Sequence, residues 1–289
     1  MAALTWDGVG EKLYETGTDH GVVYPYDEDN KAYGNGVAWN GITGFTDSPS
    51  GADETALWAD NIKYAAMRAA EEYGGTITCY TYPDEFGECD GSAFVMTTGG
   101  SPTKTGISLG QQKRKSFGFS VRTLVGNDTS GNDYGYKIHL IYGASVSPSD
   151  KDYSTVNDSP DAIEFSYEFT TTPVPVGTAY KPTSHIVLDK TKMDDTALGH
   201  LAELETILYG ASSDGYAKLT QATVPADWPT TATASTKYFK KDGSTYTGVT
   251  SSDTYVANTT FYEKGAAARI PSPAEVITLF GGSPNVVNG

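Results

Sequence analysis

The chain predicts a mostly-β, antiparallel fold, and three observations carry that expectation. Apolar residues recur at every second position in run after run, turn chemistry separates the runs, and tyrosine and glycine are abundant, with 20 Tyr and 32 Gly in 289 residues. Period-two alternation is the mark of a strand with one face buried, and tyrosine suits a half-buried pleated surface. The clearest stretch is Gln112 to Val176. There Phe117, Phe119, Val121 and Val125 alternate with Ser116, Ser120 and Arg122. Beyond the turn-rich Gly126–Asp133, Tyr134, Tyr136, Ile138, Leu140 and Tyr142 fall on one side, with Lys137, His139 and Ile141 on the other. In a third run, Phe165 and Phe169 lie opposite Glu164 and Glu168. The three together predict a meander with one apolar face and a long polar loop in its first hairpin.

Toward the amino terminus, residues 4–24 read as short strands punctuated by glycine, and Val37 to Phe45 as a strand interrupted by Gly41 and Gly44. Asp27-Glu28-Asp29-Asn30-Lys31 has the acids of a calcium loop without the glycine and closing glutamate of an EF-hand, so a solvated turn is expected. Residues 59–73 set alanine-rich helix propensity against the alternation of Ile62, Tyr64 and Ala66, and a strand is the reading adopted. Pro83 to Gly91 is bounded like a short helix; its acids Asp84, Glu85 and Glu88 fit a solvated first turn better than a catalytic group. Pro173 and Pro175 end the meander, because proline has no amide hydrogen to give a ladder. Ser184 to Asp189 is a short strand. Asp194 to Gly210 is the best helix, with Leu198, Leu201, Leu204, Ile207 and Leu208 on one face. Lys237 to Val249 reads as a hairpin turning at Lys241-Asp242-Gly243, and residues 259–264 echo 236–241. A proline-led helix closes the chain over residues 268–280.

Several strings, in order, resemble the major tail proteins of long-tailed (siphovirus-type) bacteriophages. They are Arg114-Lys115-Ser116-Phe117-Gly118, Arg122-Thr123, Gly126-Asn127-Asp128, Tyr136 to Tyr142, Tyr153 to Ser159 and Thr172-Pro173-Val174. The stretch Trp6 to Tyr24 resembles the family's opening, and Ala59 to Tyr64 resembles the first arm of a family hairpin. The resemblance returns at 183–210 and 268–280 and fails over 215–265. It implies a β-sandwich with a flanking short helix and a smaller C-terminal α+β extension. It also implies six copies closing into a ring, with rings stacked into a tube. Genomic DNA would pass through the lumen without specific binding. The implied partners are further copies and other tail proteins (tape measure, tail terminator, distal tail), and the implied location is the virion tail, assembled in the host cytoplasm. No active site or cofactor comes with it. The expected division is residues 1–177 for the sandwich, 178–214 for the strand and helix of the extension, 215–265 for an inserted β decoration, and 266–289 for the last helix and tail.

Charge sets further bounds. With 36 acidic against 20 basic residues the formal net charge is −16, which argues against gripping nucleic acid through its phosphates. Lys113, Arg114 and Lys115 are candidates for subunit contacts, and Glu164 and Glu168 for the lumen. Cys79 and Cys89 make no disulfide scaffold and match no zinc spacing; His20, His139, His185 and His200 are scattered, so no metal site is expected. No run reaches the ~20 apolar residues of a membrane helix, and the first residues lack a secretion signal. The Asn-x-Ser/Thr triplets at Asn127, Asn157 and Asn258 read as chance matches. Two other classes stay open: a carbohydrate-binding or adhesion sandwich with Trp39, Trp58 and Trp228 as stacking rings, and a glycoside hydrolase with Glu164 and Glu168 as its carboxylate pair.

Overall fold

The computed structural model describes residues 4–51, 53–100, 102–155 and 161–286; Asn157, the end of the Tyr153–Ser159 string and the last three residues of the carboxyl tail lie outside them. Along the chain, β1 (Leu13–Asp27), β2 (Ala32–Tyr33), β3 (Val37–Ala38) and β4 (Ile42–Asp47) precede β5 (Ser50–Gly51), β6 (Glu54–Ala59), β7 (Ile62–Arg68), β8 (Glu71–Glu72) and β9 (Gly74–Cys79). Helix α1 (Asp84–Gly87) leads to β10 (Ala93–Met96) and β11 (Lys104–Leu109), then β12 (Phe117–Asn127), β13 (Gly131–Val146), β14 (Phe165–Thr171) and β15 (His185–Asp189). Helix α2 (Asp195–Tyr209), β16 (Tyr216–Lys218), β17 (Tyr238–Asp242), β18 (Thr245–Gly248), β19 (Phe261–Lys264) and α3 (Pro273–Leu279) complete it.

The mostly-β, antiparallel fold expected from the alternating runs is the one found. A nine-stranded sheet has the order β2-β1-β12-β13-β14-β9-β4, with β15 on β13 and β3 on β1. It curls until β4 approaches β1, and Gly21 of β1 leaves the space that the Ile42 side chain of β4 occupies. Inside the curl, Trp39, Ile77, Phe86, Phe117, Phe119, Val121, Ile141, Tyr167 and Phe169 form one core. On the outer face of the same strands, Tyr24, Ile138, Leu140 and Tyr142 pack against Leu201, Leu204, Ile207 and Leu208 of α2 and against Val276 and Leu279 of α3. Two tyrosines pin the helices through their hydroxyls, Tyr24 to the Leu208 carbonyl at 2.8 Å and Tyr142 to that of Pro271 at 3.0 Å.

This arrangement corrects four expectations. The meander β12–β13–β14 forms and β14 keeps one exposed face, but the centres of β12 and β13 are covered on both: His139 and Ile141 are buried along with Ile138 and Leu140, because helices cover one side and the curled sheet the other. The loop of its first hairpin is short, with Asn127 paired to Gly131. Residues 13–27 make one strand rather than several, since Gly17 and His20, at φ 64° and 51°, accompany register shifts in a continuous ladder with β12. The boundary near residue 178 does not separate independent bodies, because β15 pairs with Lys137–Ile141 inside the main sheet and α2 lies on that sheet.

Residues 59–73 do form strand, as read, but β7 is the second arm of its hairpin and not the first. It pairs back on β6 through Asp60 and Asn61, which take φ 50° and 62° as a tight hairpin turn requires. Asp194 caps α2 through the Ala197 amide and Gly210 ends it at φ 82°; Ser272 and Glu275 cap α3 reciprocally. The echoing segments 236–241 and 259–264 pair with each other as β17 and β19, and the order β16-β19-β17-β18 encloses a small core of Leu219, Tyr238, Val249 and Phe261.

Candidate functional site

Two features stand apart from the packed body. The first is a β-arm. The pairings Asp47 with Gly75, Ser50 with Glu72, Glu54 with Arg68 and Ala59 with Ile62 continue one hairpin outward from β4 and β9. Its inner half is held in the sheet, where β14 pairs with β9. Its outer half is two-stranded, Ser50–Gly51 pairing with Glu71–Glu72 and Glu54–Ala59 with Ile62–Arg68, and at ~3.3 Å per residue the β6–β7 tip alone is roughly 20 Å long. Trp58 and Tyr64 are 70% and 73% exposed, and Leu57, Ile62 and Met67 are exposed beside them. A second hairpin, β10–β11, exposes Met96, Ile107 and Leu109 in the same way.

The basic cluster lies on the run into β12. Lys113 pairs with Glu28, Lys115 pairs with Glu88 at 2.6 Å, and the Arg114 side chain rests on Gly91. Two of the three cations are therefore already matched within the chain. The Asp27 side chain closes its turn by accepting from the Asp29 and Asn30 amides, so this acid serves a turn. Of the α1 acids, Asp84 pairs with Lys104 at 2.9 Å and Glu88 with Lys115.

Glu164 and Glu168 are both exposed, on the face opposite buried Tyr167 and Phe169. Thr43 donates its hydroxyl to Glu164, and Glu168 pairs in register with Thr76. That face of β14, β9 and β4 carries Ser166, Thr170, Thr76, Thr78 and Thr46, and the three strands contain no lysine or arginine. Four positions along a strand separate the two glutamates by ~13 Å between Cα atoms. Of the proposed stacking rings, Trp39 is 3% exposed and donates to the Thr81 carbonyl at 2.9 Å, and Trp228 packs on Tyr238, Tyr255 and Phe261. Trp58 alone of the three is exposed. Cys79 and Cys89 are free and buried, and burial pushes their thiols up, to about 11 and about 12, so neither is a nucleophile at neutral pH.

The second feature is one that sequence reasoning missed. His139 and His185, expected to be scattered, stack in parallel with ring centroids 5.3 Å apart, and His139 Nδ1 lies 3.1 Å from His185 Nε2. The cause is the pairing of β15 with β13, which sets His185 opposite Ile141, two residues from His139 and on the same face. Asp47, at the end of β4, joins them, so that one ligand atom from each lies within 4.8 Å of the others. Thr123 Oγ1 lies 3.0 Å from His139 Nε2, Tyr73 donates its hydroxyl to Asp47, and the Tyr73 ring stacks on His185 at 4.4 Å. Burial holds both imidazoles below their ordinary value, His185 at about 4, so they are neutral bases at pH 7. No sequence motif spans residues 47, 139 and 185, and only a strand register brings them together.

No protein-family model matches this chain, and no curated protein is significantly similar to it.

Proposed function

We propose that the chain is a tail-tube subunit of a long-tailed bacteriophage, a structural protein whose copies close into six-membered rings that stack around a DNA conduit. The observation that carries this reading is the β-arm. An isolated two-stranded ribbon is at best marginal in water, and this one displays Trp58, Ile62, Tyr64 and Met67 to solvent. Such an element is stabilised when a neighbour covers it, and unpaired edges favour repeated association unless they close into a ring. The residue strings that resemble the tail-protein family favour a tail tube as the assembly. The hydroxyl-rich, acidic face of β14, β9 and β4, free of cations, supplies a surface past which DNA slides.

Negative-stain microscopy of the purified protein, alone and with tail-initiation components, tests the proposal. Rings or hollow tubes are expected, and a Trp58→Asp/Tyr64→Asp variant is expected to keep the wild-type circular dichroism spectrum while failing to assemble. A wild-type chain that stays monomeric at high concentration with initiators present would sink the reading.

A further inference from the structure

We propose that Asp47, His139 and His185 form a binding site for a first-row divalent cation, zinc above all, with solvent completing its coordination. The proposal does not depend on the tail-tube reading. Two imidazoles and one carboxylate are a donor set that suits zinc and its neighbours, and a three-residue set leaves an open position.

Geometry comes first. Two nitrogens bound to one tetrahedral zinc at ~2.0 Å sit about 3.3 Å apart, and the His139–His185 nitrogen separation is 3.1 Å. One Asp47 carboxylate oxygen lies within 4.8 Å of a ring nitrogen of each histidine, so a shift of roughly 1.5 Å at most brings all three to the spacing of a shared ion.

The surrounding contacts already orient the ligands. His139 Nε2 faces Thr123 Oγ1, and donating its proton there leaves Nδ1 bare toward His185. Tyr73 donates to Asp47, an outer partner of the kind that holds a ligating carboxylate. His185 meets the metal through Nε2 once its ring proton sits on Nδ1, a tautomeric shift that releases no proton.

Access is available. His139 is buried and Asp47 is exposed, while His185 lines an open cleft of about 770 Å³ with Tyr73, Glu71, Pro173 and Thr183. The position gives the ion a structural role. Asp47 stands where the arm leaves β4, and the histidines belong to β13 and β15, so a bound cation ties the base of the arm to the centre of the sheet.

Titration of the metal-stripped full-length protein with zinc chloride, read by calorimetry and by competition with a chromophoric chelator, tests this. One zinc per chain is expected, with affinity reduced at least ~10-fold by His185→Gln and by Asp47→Asn and unchanged by His20→Gln. Asp47 is exposed, so its variant is expected to fold even if His185→Gln does not. Zinc should also raise the melting temperature of the wild type and leave that of Asp47→Asn unmoved. Cobalt bound in the same place should show the intense visible bands of a low-coordinate site. No stoichiometric zinc binding, or binding that survives both ligand substitutions, would overturn the proposal and leave the two histidines as a neutral hydrogen-bonded pair.

Discussion

The amide of Gly265 donates to the carbonyl of Gly215 at 2.9 Å, so the four-stranded segment between them leaves the chain and returns to it at one point. The segment has its own core and touches the rest of the protein chiefly along α2, where Lys218 pairs with Glu203 at 3.0 Å and Tyr262 reaches the same carboxylate. Joining Gly215 to Gly265 through one or two glycines bridges a gap already spanned by a hydrogen bond. The truncated chain should therefore fold, with a modest fall in melting temperature from the uncovered flank of α2. If the segment is a decoration outside the tube wall, truncated chains should still assemble; folded chains that form no rings would place it in the ring contact.

Phe86 shows how much a small element can carry. Helix α1 is a single turn, yet its phenylalanine is fully buried among Trp39, Tyr167 and Phe117, with ring centroids 4.3, 4.9 and 5.6 Å away. The strands around that ring are held by their ladders, so a cavity there cannot readily collapse. Phe86→Ala should cost about 3–5 kcal/mol of unfolding free energy in denaturant titration. A loss under ~1 kcal/mol would mean that the inner core rearranges freely.

Asp19 and Arg122 give the stability a pH dependence. Both Asp19 oxygens accept from the guanidinium, at 2.6 and 2.7 Å, and Arg122 also lies over the Tyr136 ring. The Arg122 hydrogen bonds hold the Asp19 carboxyl below its ordinary value. A carboxyl whose folded value is depressed stabilises the fold at pH above the unfolded value of ~3.9, and that contribution disappears as pH falls through the lowered one. Asp19 is 36% exposed, so solvent screens the pair and about 1 kcal/mol is the expected contribution. Asp19→Asn should therefore be less stable than wild type by about that amount at pH 7, with the difference shrinking below pH ~4. A difference that stayed constant down to pH ~2 would assign the loss to packing rather than charge.

Local pattern made much of the fold legible. The alternation of Phe117 to Val125 and Ile138 to Tyr142 marked the central strands, and the leucine face of α2 with Asp194 and Gly210 at its ends marked that helix. What stayed hidden depended on long-range register. Lys137–Ile141 reads as half-exposed because its second face packs into the inner core, Ile141 with Trp39 and Ile77 and His139 against Phe45, from chain far away in sequence, and β7 pairs backward because Asp60 and Asn61 outweigh the glycines that follow. The Asp47–His139–His185 cluster is the extreme case, drawn from β4, β13 and β15.

The lumen is the place where the tube reading makes its sharpest demand. DNA must move past every ring, and even a weak phosphate contact, repeated by each subunit along a tube, multiplies into an immobilising affinity. A net charge of −16 per subunit also repels itself around a ring, so cations are best placed at contacts between copies. Lys113 and Lys115 already have carboxylate partners in the chain, which leaves Arg114 as the member of that cluster to reach a neighbour. The face of β14 with Glu164 and Glu168 is the proposed bore, and its neighbours Ser166, Thr76 and Thr78 add hydroxyls without adding charge. Glu164→Lys/Glu168→Lys should leave the fold and the tubes intact, since both side chains are exposed. The variant tubes should then retain short double-stranded DNA at low salt and release it as salt rises, while wild-type tubes retain none. A map of the assembled tube supplies the decisive check: a bore lined by lysine and arginine, or one from which Glu164 and Glu168 are absent, would refute this assignment even with the tube itself in view.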